Sequence, residues 1–401
     1  MTNFREDFPI FKNNPDLIYF DSTATSQKPS LVINGINKYL ETTYSSIHRG
    51  LYNISEKSEK LYNDSKKKVA KFVGAYSYKE IIYTYNSTYA LNLLSSSIGL
   101  SKQLKKGDKI LLTEVEHNTN IIPWLILKES IGIEIEYIKI DKDFNLDLND
   151  FKNKYDEKVK IISFTHVSNV TGQIFDLEEI GKSKRDDTIF IVDVSQSIPH
   201  IDIDVKKLNC DYLFFTGHKV FADTGIGVLW GKEKLLKELK PSFSGGGAIG
   251  TLVDNCFTYA KIPDKFEAGT QNVSGAVSLL KAFEYIEYIG GYSVLEKYEN
   301  ELVEYFLDKF KKYKNIKLIG SNNYKNRLGV FSMVIEGFHS NDVADILADN
   351  NIAVRSGKHC AHSYFNSIGL THSFRVSLYI YNTKEEIDKF FNILNKIINA
   401  K

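Results

Sequence analysis

The sequence predicts an α/β protein: a mostly parallel, seven-stranded sheet covered by helices on both faces, followed by a second, smaller α/β unit. Three observations carry this expectation. Seven short runs rich in Ile, Val, Phe and Tyr lie between residues 80 and 230, and they are near-continuously apolar rather than alternating, as strands buried on both faces are. Helix-like stretches separate several of them, the pattern of crossover connections in a parallel sheet. After about residue 280 the pattern turns to amphipathic helices, then to strand and helix on a shorter scale.

Taken in order, the first run is "EIIYTYN" (80–86), and the helix-like "STYALNLLSSSIGL" (87–100) follows it directly. That junction places Ser87 and Thr88 where helix N-terminal amides bind phosphate; an ordinary N-cap is the plain alternative. "DKILLTEV" (108–115) leads to His117, an imidazole able to stack on a planar ring, or simply a surface-loop histidine. After the helix-like "NIIPWLILKES" (120–130) come "IEIEYIKI" (133–140) and "KIISFTHVS" (160–168), the latter ending near Asn169. Asn169 is placed to hydrogen-bond a ligand oxygen, or to shape a turn.

"TIFIVDVS" (188–195) reaches Asp193 at its mouth, with Gln196 three residues on, and "YLFFTG" (212–217) runs through Thr216 into His218 and Lys219. Neighbouring parallel strands would bring Asp193 and Lys219 into one cleft at the C-terminal strand ends, where ligands bind in such sheets. Lysine forms a Schiff base with an aldehyde, and a carboxylate pairs with a protonated pyridine nitrogen to make an electron sink. Taken singly, each residue also reads as a helix cap or a solvated amine. "GIGVLW" (225–230) is the seventh run, and the glycines of "SFSGGGAIG" (242–250) read as a flexible linker or an anion nest.

In the C-terminal part, "AVSLLKAFEYIEYI" and "VLEKYENELVEYFLDKFKKY" are amphipathic helices, and "GVFSMVIEG", "DVADILADNNIAVRSG" and "RVSLYIYNTKEEIDKFFNILNKI" alternate strand and helix. Between the last two lies "RSGKHCAHSYFN" (355–366), which holds Cys360, one of only three cysteines, beside Arg355, Lys358, His359 and His362. A structural cysteine hides among apolar residues, whereas a reactive one wants positive charge nearby. A metal site is the less favoured reading, because two histidines and a thiol within four residues rarely converge on one tetrahedral ion.

The chain has 401 residues, 43% hydrophobic and 25% charged, with 51 basic against 50 acidic side chains and a net charge of +1. That balance gives no support for a nucleic-acid or membrane-surface partner. Three cysteines without C-x-x-C spacing make neither a disulfide framework nor a zinc ribbon, and point to a reducing, cytoplasmic setting. No stretch has the roughly 18 apolar residues of a membrane span, and the N-terminus shows no signal-peptide pattern.

The ordered set "FDSTATSQKP", "HRG", "EHNTNIIPW", "THVSNVTG", "DVSQS", "TGHK", "FEAGTQN", "RSGKHCA" and "RVSLYIYNTKEEID" resembles the pyridoxal-phosphate enzymes of aminotransferase class V, and within them the Suf-type (group II) cysteine desulfurases. The resemblance implies the PLP-dependent transferase fold type I. A large cofactor domain would span 20–280, a small domain 1–19 with 281–401, and the protein would be a homodimer. It implies that Lys219 carries the Schiff base, Asp193 pairs with the pyridine nitrogen, Gln196 contacts the phenolic oxygen and His117 stacks on the ring. Ser87, Thr88, Thr216 and His218 would hold the phosphate, and Thr270 would reach the partner subunit's phosphate. Arg375, assisted by Asn169, would grip the carboxylate of L-cysteine, with Arg355, His48 and Arg49 lining the entrance. Cys360 would take the sulfur as a persulfide while L-alanine leaves. Fifteen residues from Cys360 to Arg375 match the family's short cysteine loop and imply a dedicated Suf-type acceptor protein, feeding iron–sulfur cluster assembly. No metal is implied. The alternatives are a selenocysteine lyase or another class V lyase or transferase, and a non-catalytic relative acting as a scaffold. Relatives commonly carry Arg-Gly-Thr-Thr-Glu where this chain has "YNSTY" (85–89).

Overall fold

The computed structural model describes Phe4 to Asn399; residues 1–3 and 400–401, placed in the small domain by the expectation above, lie outside the described residues. The chain opens with a short strand β1 (Ile18–Tyr19). The central sheet contains β2 (Ile81–Thr84), β3 (Lys109–Thr113), β4 (Glu134–Ile138), β5 (Val159–Thr165), β6 (Ile189–Asp193), β7 (Tyr212–Thr216) and β8 (Gly227–Gly231), in the order β2-β8-β7-β6-β5-β3-β4. Each falls within one residue of the run read from the sequence or inside it. Strands β4, β3, β5, β6 and β7 pair in parallel, and only β8 runs antiparallel to its neighbours β7 and β2.

Both faces of the sheet are covered. Along β7, Leu213 and Phe215 join a core built with Val32, Tyr39, Val69 and Phe283, while Tyr212 and Phe214 join another built with Leu91, Leu94 and Trp124. Successive side chains of a strand point to opposite faces, so burial on both sides leaves no polar position, hence the unbroken apolar runs. Helices Ser30–Thr42, Asn53–Phe72 and Val273–Tyr288 supply the first face, and Ser87–Leu100 with Ile122–Ile131 the second.

A hairpin of β9 (Ile249–Val253) and β10 (Cys256–Tyr259) projects from the large sheet's side of the chain with most of its residues exposed. Further on, β11 (Ile316–Ile319), β12 (Val330–Ile335), β14 (Arg355–Gly357) and β15 (Ser373–Ser377) form an antiparallel sheet in the order β11-β12-β15-β14. Its core stacks Phe306 on Phe331, ring centroids 3.9 Å apart, with Phe374, Val376, Phe390 and Leu394 around them. β13 (Ile352–Ala353) pairs in parallel with β1. The N-terminal strap that follows β1 thus starts beside the C-terminal sheet before crossing to the large one.

Candidate active site

Since β8 is antiparallel to both neighbours, β2 runs in the same sense as β7. Thr84, Thr165, Asp193 and Thr216 therefore all end strands at one edge of the sheet. A cavity of about 440 Å³ opens there, against β14 and β15. Lys219 and Cys360 both line it. So do Ser87, Thr88, His117, Asn169, Asp193, Gln196, Thr216, His218, Arg355 and Arg375.

Lys219 comes one short turn beyond β7, in the 3-10 segment Gly217–Lys219. The turn is tight: a Cβ on Gly217 would lie 2.7 Å from Ile226 Cγ2 and 3.1 Å from its carbonyl oxygen. Loss of hydration at the cavity wall pushes the Lys219 amine down to about 8; Asp193 opposes that shift and Arg375 adds to it. Asp193, buried at the end of β6, accepts the Ser195 N–H at 2.9 Å. Burial raises its carboxyl above the ordinary value, against the pull of Ser195 and Lys219. The Gln196 side chain donates to the Thr23 carbonyl at 3.0 Å. The same strap fixes the lysine turn: the His218 carbonyl accepts from Ser26 N–H (3.0 Å), Thr25 Oγ1 (3.1 Å), Ser26 Oγ (3.2 Å) and Lys28 Nζ (3.1 Å).

At the opposite wall, Asn86 caps helix Ser87–Leu100 by accepting the Tyr89 N–H at 2.8 Å. Ser87 and Thr88 of the first turn line the cavity, where helix N-terminal amides favour an anion; Thr88 Oγ1 lies 2.8 Å from Thr119 Oγ1. Gly227, between Thr84 and Thr216 in the sheet, makes room for this turn. A Cβ there would meet Asn86 backbone atoms at 2.5 and 2.6 Å.

His117 Nδ1 accepts the Thr119 N–H at 3.1 Å. Burial, with Lys219 and Arg375 nearby, drives the ring down to about 3, so it is neutral and carries its proton on Nε2. Behind it Glu116 is fully buried. Its carboxylate accepts from Thr113 Oγ1 (2.7 Å), Thr165 N–H (2.9 Å) and Asn120 Nδ2 (2.8 Å). Desolvation still lifts it to about 7.

Cys360 is exposed at the mouth, in a tight loop where His359 and Cys360 both have left-handed φ, 51° and 55°. Two such non-glycine residues in succession are costly, and the loop is tied down accordingly. Asn118 N–H donates to the Cys360 carbonyl (2.7 Å), and Asn169 Nδ2 donates to the His359 carbonyl (2.7 Å). His359 Nε2 lies 2.8 Å from Ser373 Oγ, and His362 Nδ1 lies 3.0 Å from Asn118 Nδ2; the two histidines flanking the thiol turn to different partners. The other cysteines differ in kind: Cys210 is buried, and burial holds its thiol far above the usual range, while Cys256 sits on β10.

Arg355 and Arg375 stand directly opposite one another in the β14–β15 ladder. Asp21 bridges them: its carboxylate accepts Arg355 Nη2 at 2.8 Å and Arg375 Nη2 at 3.4 Å. Arg375 also donates from Nη1 to the Asn169 carbonyl at 3.0 Å. Desolvation lowers the buried Arg375 to about 10.

Three expected residues stand apart from the cavity within this chain. Thr270 is exposed in the turn beyond Glu267, whose carboxylate is buried on Lys66 Nζ (2.8 Å). His48 and Arg49 are exposed, and His48 Nδ1 lies 4.0 Å from Glu59. Residues that the sequence reading did not single out also form the site: Thr23, Ala24, Thr119, Thr165, Ser195 and Ser356 line the cavity, and Asp21 pairs its arginines. Each lies inside a motif quoted above ("FDSTATSQKP", "EHNTNIIPW", "THVSNVTG", "DVSQS", "RSGKHCA"), but a small polar residue carries no local signal of its own role.

The residues present fit pyridoxal phosphate. Buried Thr216 Oγ1 and Arg375 Nε lack hydrogen-bond partners in the chain, a helix N-terminus offers free amides to an anion, a carboxylate lies deep, and one amine is held near neutrality. The family model for aminotransferase class-V matches residues 18–390. A Synechocystis sp. protein named a probable cysteine desulfurase is 37% identical over 399 residues, covering 98% of this chain and 94% of its own length. The cysteine desulfurase of Wigglesworthia glossinidia brevipalpis is 36% identical, covering 98% of this chain and 96% of its own. Among solved structures, the apo cysteine desulfurase of Thermococcus onnurineus NA1 superposes with a TM-score of 0.93 at 36% identity, covering 99% of this chain and 98% of that one. From the span of the family match and the near full-length agreement with these relatives, the chain belongs to the aminotransferase class-V family, whose members work with pyridoxal phosphate.

Proposed function

We propose that this protein is a cysteine desulfurase of the Suf-type group, converting L-cysteine to L-alanine and leaving the sulfur as a persulfide on Cys360 for iron–sulfur cluster assembly. The observation that carries this reading is that an amine held near neutrality, Lys219, and an exposed thiol, Cys360, line the same cavity with Asp193 and Arg375.

In this reading Lys219 holds the cofactor's aldehyde carbon, Asp193 its ring nitrogen, Gln196 its phenolic oxygen and His117 its ring face. Ser87, Thr88, Thr216 and His218 hold its phosphate. Bound pyridoxal phosphate supplies an electron sink for negative charge developing at the substrate's Cα. Arg375 orients the substrate by its carboxylate, a task suited to a guanidinium fork, and Asn169 and Arg355 assist. Lys219 Nζ moves the Cα proton; a pKa of about 8 suits an amine base working near neutral pH. His117 moves a proton at Nε2. Cys360 Sγ forms a bond to the substrate's sulfur as the Cβ–S bond breaks. The electron pair of that bond stays with carbon, which takes a proton and leaves as the methyl group of alanine. The thiol is thereby oxidised to a persulfide and the carbon reduced, so no outside oxidant is needed.

An exposed thiol suits hand-over to a Suf-type acceptor protein docking at the mouth. The exposed positions of Thr270, His48 and Arg49 suit a homodimer in which Thr270 reaches the other subunit's phosphate. The three free cysteines suit the cytoplasm; among the described residues no helix is long and apolar enough to cross a membrane.

The test is to incubate the holoenzyme with cysteine and a reductant and to quantify alanine and sulfide. The native protein should release the two in equal amounts. Cys360→Ala should keep the cofactor's absorbance and lose sulfide release by about a hundredfold or more, the scale of removing a positioned nucleophile. Native-like sulfide release from Cys360→Ala, or a native protein that stays colourless with added pyridoxal phosphate, would overturn the reading.

A further inference from the structure

We infer that Asp21 sets the charge of the substrate-carboxylate site, neutralising one of two facing arginines so that the site accepts an amino acid with a single carboxylate. This rests on the cysteine desulfurase reading for the identity of the ligand.

Apart from the Cys360 thiol, the charged groups in and beside the cavity divide into two sets. The deep set is Lys219 with Asp193, one positive and one negative. The set at the small sheet is Arg355 and Arg375 with Asp21, two positive and one negative. The cavity's histidines add nothing near neutral pH, because burial drives His117, His218 and His359 to about 3, 4 and 2. At the small sheet, two guanidiniums against one carboxylate leave one positive charge on the arginine pair for the carboxylate end of a ligand. Like charges directly opposite each other in a ladder repel. Arg355 and Arg375 are such a pair, and Arg375 has only 3% of its side chain exposed. Asp21, 13% exposed, reaches both.

Nor is Asp21 needed merely to fasten the strap. The strap is held without it, by Ser22 Oγ on Tyr381 OH (2.7 Å), by Thr23 N–H on Ser377 Oγ (3.0 Å) and by the donors converging on the His218 carbonyl. The Asp21 carboxylate is the part of the strap that faces the arginines. It leaves Arg375 Nε unpartnered and buried at the cavity wall, so the open donor belongs to the residue expected to grip the substrate. A guanidinium whose charge is already half-answered binds one carboxylate; two unanswered guanidiniums would favour a ligand carrying two.

Calorimetric titration of the holoenzyme with L-alanine and L-aspartate, neither of which carries sulfur, tests this. Asp21→Asn should lower the ratio of the aspartate Kd to the alanine Kd by about tenfold or more, the effect of one charge pair in a partly buried site. Asp21→Glu, which keeps the charge, should hold the native ratio. Arg355→Gln, which leaves a neutral Arg375–Asp21 pair, should weaken alanine binding by about tenfold. The double variant Asp21→Asn with Arg355→Gln should recover it to within about threefold, a coupling expected of residues in contact. The double variant also serves if Asp21→Asn alone fails to fold, since it contains no unbalanced arginine pair. An unchanged ratio in Asp21→Asn, or a double variant as weak as Arg355→Gln, would overturn the inference while leaving the desulfurase reading intact. A native enzyme that releases no alanine from cysteine sinks both.

Discussion

Lys219 illustrates how far a side chain's surroundings can move its chemistry. Desolvation takes its amine to about 8, against about 10.4 for an ordinary lysine. The amine must be free to attack an aldehyde, so the rate of cofactor capture by the apoprotein should climb as pH rises towards about 8 and flatten above it. The rate of absorbance change after mixing with pyridoxal phosphate measures this; a half-rise near pH 10 would contradict it. Glu116 shows the converse, a buried acid whose acceptors are all used. In Glu116→Gln the amide nitrogen must face either Asn120 Nδ2 or the Thr113 and Thr165 donors. That leaves a buried donor unsatisfied, at a cost of about 1–3 kcal/mol, readable in urea unfolding. Lys219 and Cys360 stood out in the sequence through their short polar runs, "TGHK" and "RSGKHCA"; that both line one cavity appears only in the fold. Glu116 and Asp21 did not stand out, since a carboxylate's significance here lies in partners up to 354 residues away.

Among the elements, the strands were the most legible. An unbroken apolar run such as "YLFFT" can be satisfied only where both faces are buried, and β7 is buried throughout. Direction was hidden, because such a run reads alike either way; the antiparallel setting of β8 appears only in the ladder. The β9–β10 hairpin was hidden for the opposite reason. Residues Gly250 to Thr258 are exposed, so no apolar face was written into them, and the preceding glycines read as a linker. One close fit between elements is Gly227 of β8 against the Asn86 turn. Gly227→Ala would force backbone apart, shifting the first turn of helix Ser87–Leu100. We expect an affinity for pyridoxal phosphate lower by about tenfold or more, as misplacing a preorganised anion site does, with secondary structure unchanged. Equilibrium dialysis with circular dichroism checks both.

On the scale of the whole molecule, one surface stands out for its apolar character. Tyr85 is 66% exposed and Phe243 53%. Tyr89 and Phe243 stack at 5.7 Å without burying each other. Large exposed apolar patches mark interaction sites, and this one adjoins the Asn86 turn. The protein should sediment at twice the 45.8 kDa of one chain. Phe243→Asp should shift it towards the monomer and weaken cofactor binding together. A native monomer, or a monomeric variant with full cofactor affinity, would contradict the coupling.

The strap that begins beside β13 and ends beneath His218 has a further consequence, for biosynthesis. Asp21 leaves the ribosome 334 residues before Arg355 and 354 before Arg375. A nascent chain has Asn86, Asp193 and Lys219 in hand long before either arginine exists. In the proposed reading, the vitamin-derived half of the site is thus written early and the amino-acid half late, and translation itself orders the two.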